Sequence, residues 1–576
     1  MDNKFEEMLN KRAKAAFIIF LIMFGLLTTR LFWVQFVGGA QYLEKAERQW
    51  YNEVMLQPQR GQIYDTNGKL MAGSASAETI VAIPSQIENP SETVEQLGPL
   101  LELENETIYN RLTSNSSEVY LQRMVDDQVA EQIKDLDIPG IKTIDESKRF
   151  YPHGSLASHV LGFVGTDEGL EGIEAYYESE LAGVPGVSLH SADASGRKLP
   201  GGEITYKEPT HGLDLTLTID HYIQHIVETE MKKTMSEFEP ESVSVIVADP
   251  NTGEILAMAN APDFEPENFN NYPSSAWRNA AITNSFEPGS TFKIATMAAG
   301  LEENVFKPTD TYICKGYTEV LGVRIRNWDR KANGEQTFTQ AVVKSSNTAF
   351  VDIGLELGKD TLFNYIHGLG FGQRTGIDLP GEATGLLFDP ATMSKVDLAV
   401  SSFGQGNSVT PIQQIMGVSA IANGGQLMQP YIAKEFRDRD GKVAKSNEPT
   451  VIRTVYSQET ADISKEILQE VIDGTSVAVD GYNVAGKSGT AQKVAPEGGY
   501  KEGAIIASYV GFAPVEDPQI AVYVMVDEPS TGRWASQIAG PLFKNITEST
   551  LTYLEVPKNN VDYIEESDDE EQEEEE

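Results

Sequence analysis

Three short motifs follow one another along the chain: Ser290-Thr291-Phe292-Lys293, Ser345-Ser346-Asn347 and Lys487-Ser488-Gly489-Thr490. Together they supply a serine that can be acylated, a lysine three residues on to take its proton, a second hydroxyl with an amide, and a cation beside a glycine. Ser290 follows Glu287-Pro288-Gly289 and opens a run whose apolar positions are Phe292, Ile294, Met297, Ala298 and Leu301. This pattern predicts a helix start, with Ser290 at the positive end of the dipole and Lys293 on the same face. A serine hydroxyl is a weak nucleophile until a base removes its proton. Lys293 can be that base only if burial or a neighbouring cation takes away its charge, and Lys487 is the natural neighbour.

Ser345, 55 residues beyond Ser290, can relay a proton between Lys293 and a leaving amine, while Asn347 can donate to and accept from a substrate's backbone amide. Lys344 and Ser346 read as bystanders. Lys487, Ser488 and Thr490 offer a cation and two hydroxyls to a terminal carboxylate. Gly489 leaves room for a substrate to lie alongside and pair with the main chain. The backbone N–H groups of Ser290 and Thr490 would then form an oxyanion hole. Singly, each motif has a plainer reading: a surface Ser and Lys, a helix cap, a basic strand end. Their joint occurrence in this order favours serine acyl transfer.

The elements that must position these groups are legible in outline. Ser242 to Ala248, the turn Asp249-Pro250-Asn251-Thr252-Gly253 and Glu254 to Ala259 predict a hairpin. Ala507 to Phe512 and Ile520 to Val526 predict a second strand pair, just after the Lys487 motif. A sheet made from both ends of a domain, with a long helical stretch between, is an α+β architecture: an antiparallel sheet flanked by helices. Residues 41–239 read as a mixed α/β pedestal and 240–554 as the catalytic domain. In the pedestal, Arg60 to Leu70 runs as a strand into the Asn67-Gly68 turn. The arginines and glycines of Arg149-Phe150-Tyr151-Pro152-His153-Gly154 and Gly169-Leu170-Glu171-Gly172-Ile173-Glu174, and the lone His159, read as structural, because no metal-ligand spacing accompanies them.

The N-terminus is not globular. Lys11, Arg12 and Lys14 precede an apolar run from Ala15 to about Val37, long enough for one spanning helix, with Trp33 where an interfacial anchor sits and Arg30 snorkelling or meeting a partner helix. The expected topology is a cytoplasmic N-terminus over residues 1–14, a transmembrane helix over 15–37 and the bulk outside the membrane; the alternative reading of the run is a cleaved signal peptide. A single cysteine, Cys314, cannot form an intramolecular disulfide. Net charge is −41, with ten acidic groups between Glu565 and Glu576; nucleic acid is excluded as a ligand, and 555–576 reads as a solvated acidic tail. No cofactor or metal is expected.

With these residues in hand, the chain resembles the class B penicillin-binding proteins, monofunctional D,D-transpeptidases of peptidoglycan. The resemblance extends to Gly404-Gln405-Gly406, Thr410-Pro411, Gln413, Asn423-Gly424-Gly425 and Gly540-Pro541-Leu542-Phe543. The Arg60 to Leu70 and Gly169 to Glu174 segments resemble the family's pedestal, often called its dimerisation domain. Thr66 stands where that motif commonly has arginine, Met71 where leucine is usual, and Ser488 replaces the commoner threonine. After Leu554 there is no room for the penicillin-binding-associated repeats of some division enzymes. The resemblance implies that Ser290 attacks the penultimate D-alanyl carbonyl of a donor stem peptide, that an acceptor amine resolves the acyl-enzyme, and that β-lactams acylate the same serine. It also implies a glycan polymerase partner. The competing readings are an anchored β-lactamase or β-lactam sensor, a D,D-carboxypeptidase, and a scaffold with an inert transpeptidase domain.

Overall fold

The computed structural model describes residues 2–37, 51–166, 168–192, 198–495 and 498–559; the acidic run from Glu565 onward lies outside them. The chain divides into two compact units, Met1–Gln59 with Gly183–Gly212, and Arg60–Ala182 with Leu213–Glu576.

In the first unit, one helix spans Asp2–Phe32 and continues as a wider turn through Trp33–Val37. It begins ahead of the apolar run, and a stretch from Glu6 to Val37 is long and apolar enough to cross a membrane. The Arg30 guanidinium lies 5.0 Å from the centre of the Trp33 ring. The described residues of this unit also form an antiparallel sheet of Tyr51–Leu56, Gly186–Ala192 and Lys198–Lys207.

The second unit is built on two sheets. The first runs in the order Val443–Ser446, Ala433–Arg437, Asp214–Leu217, Ile63–Tyr64, Leu70–Ala82, Val119–Val125, with Ile141–Phe150 also paired to Leu70–Ala82. Ile63–Tyr64 turns back onto Leu70 through Gly68, whose φ of 82° is the left-handed conformation an Asn-Gly turn uses. The pedestal arginines meet one carboxylate: the fully buried Glu174 accepts Arg60 Nε at 2.7 Å and Arg149 Nε at 2.6 Å. Arg60 Nη1 also meets Glu178 at 2.7 Å, and losing Glu174 would leave the buried Arg149 without its carboxylate, so these residues are structural. His159 is likewise a core residue, its Nε2 3.0 Å from the Ala276 carbonyl and its pKa lowered by burial to about 4.

The second sheet carries the motifs. Its strands are β1 (Ser242–Ala248), β2 (Ile255–Ala261), β3 (Ala485–Val494), β4 (Tyr500–Ala513) and β5 (Ile520–Asp527), in the order β2-β1-β5-β4-β3, all antiparallel. Both expected hairpins are present, and β3, bearing Lys487, is the edge. Burial on both faces makes β1 and β5 near-continuous apolar strands. One face is covered by α1 (His221–Phe238) and α4 (Ala535–Tyr553); the other is covered by the helix Pro411–Ala422, with α2 (Lys293–Glu302) and α3 (Asn347–Gly368) packed into the same core. Asp220 caps α1, accepting the N–H of Tyr222 at 2.8 Å. Ile223, Val227 and Met231 of α1 join the core of this sheet although they precede residue 240.

Candidate active site

Ser290 sits in a tight 3₁₀ turn, Gly289–Phe292, that runs directly into α2. The turn is clamped from two sides by backbone approach. Gly289 N–H donates to the Gly404 carbonyl at 3.0 Å, and a Cβ on Gly404 would fall 2.2 Å from the Gly289 carbonyl oxygen. On the other side, a Cβ on Gly489 would lie 2.8 Å from the Pro288 carbonyl oxygen and 3.0 Å from Thr291 Cγ2. Glycine is therefore required at 489 because β3 packs on the nucleophile turn, a tighter reason than the space for substrate expected from sequence.

Lys293, first residue of α2, is almost wholly buried. Its Nζ donates to the Ser345 carbonyl at 2.8 Å, to Ser345 Oγ at 3.1 Å and to Asn347 Oδ1 at 2.7 Å. Burial first, and the charge of Lys487 second, hold its pKa well below the usual lysine value. Lys487, buried on β3, is lowered by desolvation to about 8. Ser345 Oγ donates to Ser290 Oγ at 3.1 Å, so one hydrogen-bonded path joins Ser290, Ser345 and Lys293. Ser345 is held at a φ of 53°, where a non-glycine residue pays about 1 kcal/mol. Such strain persists where surrounding structure imposes it.

That surrounding structure is a set of residues the motifs do not name. Asn327, almost fully buried, accepts Ser346 Oγ and the Thr348 N–H on its Oδ1, each at 3.3 Å, and donates from Nδ2 to Cys314 Sγ at 3.1 Å. Ser346 is thus part of the scaffold of the turn rather than a bystander. Asn347 Nδ2 donates to the Arg326 carbonyl at 3.0 Å, and Trp328 Nε1 to the Lys344 carbonyl at 3.3 Å. Glu287, the residue before Pro288, accepts the Gly406 N–H and the Tyr500 hydroxyl, both at 3.1 Å, and burial raises its pKa. It joins the nucleophile turn to the Gly404–Gly406 loop and to the start of β4. Only the position of Glu287 beside the Pro-Gly turn hinted at this. Nothing in the spacing of Asn327 did.

On the β3 side, Thr490 Oγ1 accepts the Ala535 N–H of α4 at 3.1 Å, leaving its O–H proton to donate elsewhere. Ser488 and Thr490 alternate with the buried Lys487 and Gly489 and are half-exposed. Trp534, preceding α4, meets Trp328 edge to face with ring centres 5.0 Å apart. The two walls of the cleft, one carrying Ser345 and Asn347 and the other Lys487 and Thr490, touch at that aromatic pair. Thr410 and Gln413 form a capping box that starts the buried helix Pro411–Ala422 under the nucleophile.

The arrangement holds a serine hydroxyl hydrogen-bonded through Ser345 to a buried amine whose charge is disfavoured, with a second buried lysine along an open strand edge, a set of groups that serine acyl transfer can use. Comparison with known proteins adds a family to this geometry. Residues 243–548 match the penicillin binding protein transpeptidase domain and 55–217 the penicillin-binding protein dimerisation domain. Stage V sporulation protein D of Bacillus subtilis is 41% identical over 560 residues, covering 94% of this chain and 86% of that protein. The peptidoglycan D,D-transpeptidase FtsI of Escherichia coli is 29% identical over 549 residues, 93% of this chain and 90% of the relative. Among solved structures, a peptidoglycan synthetase from Bifidobacterium adolescentis superposes with a TM-score of 0.73 at 27% identity, over 88% of this chain and 98% of that one. A mycobacterial penicillin binding protein 3 complexed with aztreonam gives 0.69 at 26%, again over 88% and 98%. With a transpeptidase model matching over half its length and a relative above 40% identity along nearly all of it, this chain belongs to the class B penicillin-binding proteins.

Proposed function

We propose that Ser290 is the acyl-accepting residue through which this class B penicillin-binding protein cross-links peptidoglycan stem peptides, and the residue that β-lactams acylate. The observation that carries the proposal is the Ser290–Ser345–Lys293 hydrogen-bonded path ending on a buried amine whose charge is disfavoured. Ser290 Oγ attacks the penultimate D-alanyl carbonyl. Its proton passes over Ser345, whose hydroxyl rotates to accept it, to Lys293. As the bond to the terminal D-alanine breaks, the proton returns by the same path to the leaving amine. An acceptor amine then attacks the ester, and Ser290 regains its proton as the new amide forms. The N–H groups of Ser290 and Thr490 hold the oxyanion, Asn347 orients the donor backbone, and Lys487, Ser488 and Thr490 receive its terminal carboxylate, with Gly489 letting the strand approach. The chemistry needs no cofactor.

The catalytic domain occupies about 240–554, served by the preceding helix α1, and the pedestal about 41–239. The N-terminal helix fits a membrane anchor. Lys11, Arg12 and Lys14, ahead of its apolar run, support a cytoplasmic N-terminus and a catalytic domain outside, where a glycan polymerase is the partner that delivers new strands. Labelling with a fluorescent penicillin and mapping the modified peptide tests the assignment. Label on the peptide containing Ser290, and none on a folded Ser290→Ala protein, is expected; label retained by that variant would refute it.

A further inference from the structure

The chain as a whole is strongly acidic, with a net charge of −41. One stretch beside the cleft reverses the sign. From Thr311 to Lys344 six cations face three carboxylates. This stretch forms two small hairpin-like sheets, Thr311–Cys314 with Gly334–Thr337 and Tyr317–Val320 with Val323–Arg326, leading into the Ser345 turn. Glu319 is paired with Arg324 at 2.6 Å, and Asp329 accepts the Lys331 N–H at 3.0 Å. Arg326, Arg330, Lys331 and Lys344 are all exposed, and among the described residues none of the four has a carboxylate within ion-pairing distance.

These cations are fixed to the chemistry. The Arg326 carbonyl holds Asn347 Nδ2, the Lys344 carbonyl holds Trp328 Nε1, and Asn327, between Arg326 and Trp328, anchors Ser346 while donating to the Lys331 carbonyl at 3.4 Å. Trp328 lies in their midst with 55% of its surface exposed. Guanidinium and ammonium groups around an exposed indole suit a peptide that carries carboxylates: the cations pair with the acid groups and the ring covers the peptide backbone.

We infer that Arg326, Trp328, Arg330, Lys331 and Lys344 form the docking surface for the acceptor peptide and select an acceptor bearing free carboxylates. The inference rests on the transpeptidase reading and names the second substrate of the same site. The donor's terminal carboxylate is assigned to the opposite wall, at Lys487 and Thr490. The cationic rim lies on the wall of Ser345, the side on which an incoming amine must surrender its proton.

The test uses the full chain in detergent, a depsipeptide donor ending in D-alanyl-D-lactate, and two acceptor peptides that differ only in having free or amidated carboxylates. The wild-type protein should prefer the free-acid acceptor about fivefold to tenfold in kcat/KM, mostly through KM, since several exposed pairs each contribute little. The preference should shrink toward unity in 0.5 M salt and in the triple variant R326Q/R330Q/K331Q. It should persist in the charge-preserving R326K/R330K/K331R. Acylation by benzylpenicillin, which does not use an acceptor, should be unchanged in both variants and reports that they fold. Equal use of the two acceptors by the wild type, or a preference surviving R326Q/R330Q/K331Q, overturns the inference. A preference that appears only after Glu565–Glu576 is deleted makes the acidic tail the occupant of the rim and also overturns it. Failure of benzylpenicillin to acylate the wild-type protein would instead bring down the transpeptidase reading itself.

Discussion

Asn347 Oδ1 accepts a hydrogen bond from Lys293 Nζ at 2.7 Å. The amide expected to face substrate therefore also fixes the orientation of Lys293, the proposed base. Its other end is held as well, Nδ2 donating to the Arg326 carbonyl at 3.0 Å. A neutral acceptor at this place holds the lysine without stabilising its charge, which a carboxylate would do.

Asn347→Asp should accordingly raise the pKa of Lys293 and lower the fraction of neutral amine at pH 7. Penicillin acylation is expected to fall at least tenfold there and to recover as pH rises, because alkali restores the free base. Stopped-flow acylation across pH checks this. A uniform loss at every pH would show that Asn347 acts on substrate alone.

The two lysines predict opposite limbs in one profile. Acylation should rise with pH as Lys293 loses its proton and fall near pH 8 as Lys487, lowered to about 8, loses the charge that attracts a carboxylate. The two limbs belong to the coupled pair. Lys487→Arg keeps its charge throughout and should remove the descending limb. Persistence of that limb in the variant would assign it to another group.

Ser345→Ala breaks the hydrogen-bonded path between Ser290 and Lys293 while leaving the nucleophile and the base in place. Acylation should slow by roughly 10²–10⁴-fold, the usual worth of a positioned proton carrier. Rates within threefold of wild type would mean that Lys293 takes the Ser290 proton directly.

Lys293 imposes a stability cost. Its folded pKa is depressed and its unfolded value is ordinary, so the unfolded chain binds more protons and the penalty is greatest at low pH, fading as pH rises from the folded pKa toward the unfolded one. Lys293→Met should therefore fold, melt a few degrees higher near neutral pH, and take no penicillin. A lower melting temperature would show that the three hydrogen bonds of Nζ outweigh the burial penalty.

Helix α1 precedes residue 240 yet packs Ile223, Val227 and Met231 into the core of the catalytic sheet. A fragment from Leu213 to Asn559 should be more stable to urea than one starting at Ser242, by roughly 5 kcal/mol for three buried apolar side chains, each worth about 1.5–3. Equal midpoints would place α1 outside the cooperative unit.

What the sequence determined by itself was local chemistry and its order. Ser290 and Lys293 lie one helical turn apart, so their nearness follows from i, i+3 geometry; the two hairpins, the Thr410–Gln413 capping box and the apolar N-terminal run are likewise set by residues near one another in the chain. The need for Lys293 to lose its charge, and for Lys487 to be the neighbour that helps, was also legible, because the reaction demands it. Tertiary structure decided the rest. Gly489 proved to be a contact with Pro288, 201 positions away, and only folding brings that carbonyl to within 2.8 Å of where a Cβ would stand. Tyr500 on Glu287 and Trp328 against Trp534 carry no spacing signal, since each pair joins segments some two hundred positions apart, and Asn327 beneath Ser346 depends on how the chain between them folds back. The cationic rim is of the same kind. Its charges are visible in sequence, but exposure without carboxylate partners is a property of packing, and packing alone set them beside Asn347.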